Sequence, residues 1–483
     1  MGFGRVEITF IICEAVCILF YGLFTEFNVG TSPKTLASEE DSIKTFMHDK
    51  YAMFQDVHVM IFIGFGFLMV FLKNNSWTSI GFNYLIACWA IQITILFRGF
   101  WLNVCEHYHD ENHKWTNIKL TIQELILADF GAGAVLISFG AILGKCSLFQ
   151  LWAMATIECF FYALNESICV DIFGVSDIGG SMTIHTFGAY FGLSVALFYQ
   201  PKLAIRDKNG IGVGNYLSDL ISMIGTLFLF AFWPSFNAAL GTTGSQQQRT
   251  VINTYLSISS SVIASIISSK IIHHGKLEME IVLNASIAGG VAIGATADMI
   301  VLPFGSMVVG FIAGTISSFG FAYLSAILKK AINLHDTCGV HNLHGMPGVI
   351  GGLTSAIIAS RGGDNFGANY GNQFVVATRS PSEQAGYQLA SLALTLGIAI
   401  TTGLFTGFVT SRQWFQPPSE DYLFDDRFSW ENCEIEHEQM AVLQKQMTQS
   451  QSKLINNTNT AHKTDQLEDY DDHNIHSRNQ INS

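Results

Sequence analysis

Two histidines sit where an ionisable side chain is expensive. His185 lies in the stretch Gly179-Gly180-Ser181-Met182-Thr183-Ile184-His185-Thr186-Phe187-Gly188-Ala189-Tyr190-Phe191-Gly192. His344 lies in Cys338-Gly339-Val340-His341-Asn342-Leu343-His344-Gly345-Met346-Pro347-Gly348. Both runs are small-residue-rich and apolar, of the kind that packs tightly in lipid while one polar group projects into a narrow space. An ionisable side chain near the centre of a membrane helix costs ~3 kcal/mol or more, so each needs a functional or structural reason to be there. A neutral imidazole offers one donor and one acceptor, which suits a small polar molecule passing between helices. A lone membrane histidine serves as well to hydrogen-bond a neighbouring helix, and both readings stand for either residue alone.

The elements that must position them are membrane spans. Apolar residues make up 49% of the 483 and charged residues only 13%, about half the share of an ordinary soluble chain. A helix needs ~20 apolar residues to cross the hydrocarbon layer. Runs of that length are predicted at 5–27, 56–74, 79–101, 119–144, 148–170, 178–199, 216–238, 250–270, 277–297, 302–325, 342–360 and 386–412. The fold class is therefore an all-α polytopic membrane protein with about twelve transmembrane helices. The two histidines fall five spans apart, so their helices run in opposite directions, as in two inverted-topology halves around a central pore. The first run, Val6 to Phe24, also has the outline of a signal peptide. It is long, interrupted by Glu14 and followed by no small-x-small cleavage site, and is expected to remain as a span.

Short loops after even-numbered spans carry Lys73, Lys145, Lys202, Arg206, Lys208, Lys276, Lys329 and Lys330, and those after odd-numbered spans carry Glu106, Asp110, Glu111, Asp171 and Asp177. By the positive-inside rule both termini are expected in the cytoplasm. Residues 1–412 form the transmembrane region and 413–483 a cytoplasmic tail. That tail is acidic from Glu420 to Glu438 and too poor in apolar residues to build a core, so it is expected to be largely disordered. Nine cysteines are scattered without metal-ligand spacing, and His273-His274 reads as a loop pair. No cofactor or metal is implied, and no GxSxG, HExxH or P-loop pattern suggests an enzyme. Of four N-x-S/T sequons, Asn74 and Asn456 fall on the cytoplasmic side, Asn284 within a span and Asn165 beside one, so no glycan is expected.

Several strings taken together resemble the Rh glycoproteins of the Amt/Mep/Rh superfamily: residues 54–69 (Phe54-Gln55-Asp56-Val57-His58 onward), Ala128-Asp129-Phe130, the His185 segment, Trp233-Pro234-Ser235-Phe236-Asn237 and the His344 segment. The resemblance spans roughly residues 1–412, and the retained first span fits the twelve-helix Rh branch. It implies a homotrimer with one pore per subunit. His185 and His344 are then the paired pore-lining imidazoles, and Phe130 with Phe236 closes the outer entrance. By the same resemblance Asp177 orients elements near the pore, Glu166 and Asp129 give the outer mouth negative character, and Asp219 and Glu278 are inner-side acids. On residue type alone Asp177 reads as a helix N-cap, the two phenylalanines as core, Glu166 and Asp129 as interfacial charges, and His58, His335 and His341 as packing or loop residues. The predicted span 342–360 starts almost at His344, so a midplane site requires residues 331–343 to dip into the protein, which Gly339, Gly345 and Pro347 permit.

The implied activity is ammonium/ammonia transport. Taking a bare cation into a low-dielectric pore costs on the order of 20 kcal/mol, which a few dipoles do not repay. Ammonium alone among the common monovalent cations escapes this by releasing a proton. Acids and aromatic faces at the mouth would gather ammonium, and two imidazoles sharing one proton would offer neutral ammonia its polar stepping stones. Methylammonium and carbon dioxide are candidate further permeants, and an ammonium sensor signalling through the tail or a carbon dioxide channel are the alternatives. The expected surroundings are membrane lipid and the plasma membrane, with the tail as the place for a cytoskeletal or regulatory partner. No nucleic acid is expected.

Overall fold

The computed structural model describes residues 4–28, 31, 40–199, 214–362, 379–431 and 449. Ten of its helices are long and apolar enough to cross a membrane. They are α1 (Arg5–Phe24), α2 (Lys50–Phe71), α3 (Ser76–His109), α4 (Ile122–Ile142), α5 (Leu148–Ile172), α7 (Tyr216–Ala238), α8 (Gly244–Ile272), α10 (Pro303–Ile332), α11 (His341–Ser360) and α12 (Pro381–Thr410). Two shorter apolar helices, α6 (181–196) and α9 (Met279–Ile293), complete the expected twelve.

Local chemistry starts and stops these helices. Ser147 with Gln150, Asn215 with Ser218 and Ser380 with Glu383 form reciprocal capping boxes at the starts of α5, α7 and α12, each satisfying orphan backbone N–H groups. Asp426 does the same for α3 from a distance, accepting from Trp77 N at 3.0 Å and Thr78 N at 2.8 Å. One compact unit runs to Asp426, and residues 427–483 are assigned to a second. Most of the tail expected to be disordered, 432–448 and 450–483 with Asn456, lies outside the described residues.

α4 is buried nearly end to end, whereas α1 lies at the edge with only Cys17 buried. The helices α2, α4, α6, α7, α9 and α11 pack in a ring, with α3, α5, α8, α10 and α12 behind them. The departure from an all-helical fold is small: Thr25–Phe27 and Ile118–Leu120 pair as parallel strands. There the chain leaves α1 and approaches α4 in extended form, and its backbone groups satisfy one another.

Both α6 and α11 start inside the protein, and both do so in the same way. Asp177 and Asp336 stand eight residues before His185 and His344 respectively, and Gly180 and Gly339 stand five before them. Each glycine has φ of +66°, a left-handed conformation that only glycine adopts cheaply. Each aspartate caps its helix, Asp177 accepting from Thr183 N at 2.8 Å and Asp336 from His341 N at 2.9 Å. A π-helical turn then carries each histidine, Ser181–Thr186 and His341–Gly345. Of the 331–343 segment expected to dip, 331–333 form the exposed end of α10; beyond it Leu334 is buried, and Thr337 N and Cys338 N donate to Ala141 O and Gly140 O in the last turn of α4.

Candidate functional site

The imidazoles of His185 and His344 come from segments 159 residues apart and meet at 3.1 Å between their Nδ1 atoms. The rings are almost coplanar, 10° apart with centroids at 5.2 Å, and are 1% and 3% exposed. Two facing Nδ1 atoms at this distance hold one proton between them, so one ring is the Nδ1–H tautomer and the other the Nε2–H tautomer. The outward Nε2 atoms must then differ: one is an acceptor and the other a donor. His185 Nε2 has no protein partner among the described residues.

Aromatic rings line the approach from both sides. Phe130 of α4 and Phe236 of α7 touch on one side of His185, with centroids 4.5 Å apart and both 2% exposed. Phe236 reaches the His185 ring at 6.0 Å and Trp233 stacks on it at 5.7 Å. On the far side Phe65 of α2 stacks on His344 at 6.2 Å. Beyond Phe130 opens a cavity of about 240 Å³ reached by Arg98, Tyr162, Glu166, Asp171, Asp177 and Thr183. Beyond His344 a narrow space of about 20 Å³ is bounded by Phe65, Leu68, Leu136, Leu343, Asn284 and Cys338. The order from one side is thus acidic cavity, phenylalanine pair, imidazole pair, apolar neck.

The acids divide. Asp177 borders the cavity and caps α6, taking Met182 N at 3.1 Å and the Thr183 hydroxyl at 2.9 Å. These contacts are the helix N-cap expected from residue type. Glu166 also borders the cavity, but it accepts from Arg98 Nε at 2.5 Å while the same guanidinium holds Glu124 at 2.8 Å. Asp129 is fully buried and accepts from His58 Nδ1 at 3.0 Å, tying α4 to α2 immediately beside Phe130. The negative character expected of Glu166 and Asp129 is therefore balanced by Arg98 and shared with His58, because a buried carboxylate must find a partner. Asp219, in the first turn of α7, and Glu278, just before α9, border neither the cavity beyond Phe130 nor the space beyond His344.

Sequence reasoning did not single out Asp336 or Arg98. Asp336 was detectable as the second copy of a D-x-x-G-x-x-x-x-H pattern, and Arg98 as an arginine within the predicted span 79–101. His341 packs its ring edge-on against Tyr190 and His335 packs against Phe424, as the packing reading expected. Asn165 is fully buried and Asn284 nearly so, which leaves neither sequon open to a glycan.

The chain is similar to known proteins along most of its length. The profile of the Ammonium Transporter Family matches residues 15–416. Ammonium transporter Rh type B of Danio rerio is 42% identical over 463 residues, covering 94% of this chain and 98% of that protein. Ammonium transporter Rh type C of Xenopus tropicalis is 42% identical over 451 residues, covering 90% and 94%. Among solved structures, Rh50 of Nitrosomonas europaea, described with the Rhesus family of channels, superposes with a TM-score of 0.68 at 29% identity and covers 85% of this chain and 99% of that one. A sensor Amt protein shares the fold at a TM-score of 0.64 and 18% identity, over 80% and 98%.

Proposed function

The chain belongs to the ammonium transporter family, on its Rh branch, and from that premise we propose that its ammonium/ammonia transport proceeds by passage of neutral ammonia between His185 and His344. It is an integral membrane transport protein and not an enzyme. The observation that carries the reading is the 3.1 Å contact between two buried imidazoles, with a polar cavity on one side and an apolar neck on the other.

Ammonium collects in the cavity beyond Phe130, where Glu166, Asp171 and Asp177 outnumber the cation Arg98. Ammonium gives its proton to water on the cavity side, and the phenylalanine pair admits only the neutral ammonia, since a charge there loses its water without gaining a counter-ion. Past the rings, one Nε2 accepts a hydrogen bond from an ammonia N–H and the other donates to the ammonia lone pair. The shared proton makes these two roles complementary. Potassium and sodium fail at the same step, because neither can shed its charge. The apolar neck also suits carbon dioxide, and methylammonium is the larger amine that tests the width at Phe130.

Assembly as a homotrimer with one pore per subunit, residence in the plasma membrane and cytoplasmic termini belong to the same proposal. A pore contained within one chain and the distribution of lysines in the short loops support them. Residues 413–483 are proposed as the cytoplasmic segment that takes a cytoskeletal or regulatory partner. The test is ammonia influx into liposomes holding the purified chain, recorded together with current. Flux above protein-free vesicles without matching current is expected. A current equal to the flux overturns the neutral route, and binding of ammonium without flux makes the protein a sensor.

A further inference from the structure

Behind the pore helix, at the level where α4 and α6 cross, a carboxyl group takes no part in the passage just described. Glu158 of α5 is fully buried, and no ion pair reaches it among the described residues. Its Oε1 lies 2.5 Å from the hydroxyl oxygen of Ser138 on α4. That same hydroxyl oxygen lies 2.7 Å from the carbonyl oxygen of Gly188, three residues after His185 on α6. The crossing is so close that a Cβ on Gly188 would meet Ala134 O at 2.5 Å, and one on Gly192 would meet the Ser138 Cα at 2.5 Å.

A count of protons settles the state of this chain of three oxygens. Two short oxygen–oxygen contacts need two protons. The Gly188 carbonyl has none, and the serine hydroxyl has one. If serine donates to Gly188, the proton in the contact with Glu158 must come from the carboxyl group. If serine donates to Glu158 instead, its oxygen faces the Gly188 carbonyl at 2.7 Å with no proton between them. A neutral carboxylic acid also explains why Glu158 tolerates a buried Oε2 without a partner, since that atom is then a simple carbonyl.

We propose that Glu158 is a neutral carboxylic acid within the membrane and a positioning residue for the pore, its proton donated to Ser138 so that Ser138 donates to the Gly188 carbonyl and fixes α6 against α4 one turn beyond His185. The contact is a relay of fixed donors and transfers no proton in the transport cycle. It acts on the line of the pore because Gly188 continues the helix that aims the His185 ring at His344.

The experiment uses the full chain in liposomes as wild type, Glu158→Gln, Glu158→Leu and Ser138→Ala. Infrared difference spectra of wild type against Glu158→Gln at neutral pH are expected to contain the C=O stretch of a protonated carboxyl group. In Ser138→Ala that stretch should move to the position of a free acid. A carboxylate band in place of the acid band overturns the proposal. The flux arm rests on the function proposed above. Glu158→Gln, which keeps an N–H donor, should conduct within about twofold of wild type, while Glu158→Leu should fall about threefold to tenfold, the effect of roughly one hydrogen bond. A Leu variant that conducts like wild type removes the positioning role. The infrared band reads the proton whether or not the wild type conducts, so failure of one reading is separable from failure of the other.

Discussion

Replacing either pore histidine by alanine should cost nearly as much transport as replacing both. In His344→Ala, His185, buried at 1% exposure, loses the partner that its Nδ1 has among the described residues. A buried polar group left unpaired costs about 1–3 kcal/mol. The remaining ring is also free to turn or change tautomer, so its Nε2 no longer presents a fixed donor or acceptor to ammonia. If that loss falls on the barrier, about 1.4 kcal/mol per tenfold gives a reduction of about fivefold to somewhat over a hundredfold. The double variant His185→Ala with His344→Ala removes both steps but leaves no orphaned nitrogen, so its loss should be well short of the product of the singles. Stopped-flow alkalinisation of dye-loaded liposomes, with protein-free vesicles as baseline and assembly checked by size exclusion, measures all three. Unchanged flux in the double variant refutes the twin-imidazole route. Single losses that multiply in the double variant refute the claim that the two rings act as one unit.

Phe130→Ala should raise methylammonium flux relative to ammonia, because it removes one of two rings whose centroids stand 4.5 Å apart, and the cavity it leaves should cost about 3–5 kcal/mol of stability. An unaltered ratio of the two amines takes the gate role from Phe130. Asp177→Ala and Asp336→Ala should each lower thermal stability by about 0.5–2 kcal/mol per lost cap, with the asparagine variants milder since one acceptor remains. Thermal unfolding in detergent followed by fluorescence checks this. A large effect at one aspartate and none at the other denies the equivalence of the two caps. Arg98→Gln leaves Glu124 and Glu166 without their shared cation and should destabilise the fold, because removing one partner of a part-buried pair strands the other. Equal stability to wild type shows that water already satisfies both acids.

The spans were legible because the requirement for them is local. Any stretch of about twenty apolar residues must bury its own backbone hydrogen bonds in lipid, and helix is the way to do so within one segment. Even α6 and α9, too short to stand out by length in the structure, were found from their apolar runs. The two histidines were legible as costly residues in small-residue surroundings. Their partnership followed from the resemblance, and from the residues themselves only as a matter of direction, through an odd number of crossings. The acids Glu166 and Asp129 show where such reasoning stops. Glu166 and Asp129 are carboxylates near an expected pore mouth, and nothing local in the chain reveals that Arg98 and His58 are aimed at them.

The repeated D-x-x-G-x-x-x-x-H pattern lay in the chain in full view, yet it had meaning only once both aspartates were seen capping helices that begin at depth. Sequence alone determined which residues enter the membrane and which of them are too polar to be there without cause. Tertiary structure decided what each of those residues faces: His185 a second imidazole, Asp129 a histidine, Glu166 an arginine, Glu158 a serine hydroxyl. The reason is that the cost of burying a polar group is set by its own chemistry, whereas relief of that cost depends on a few ångströms between segments that the chain order does not measure.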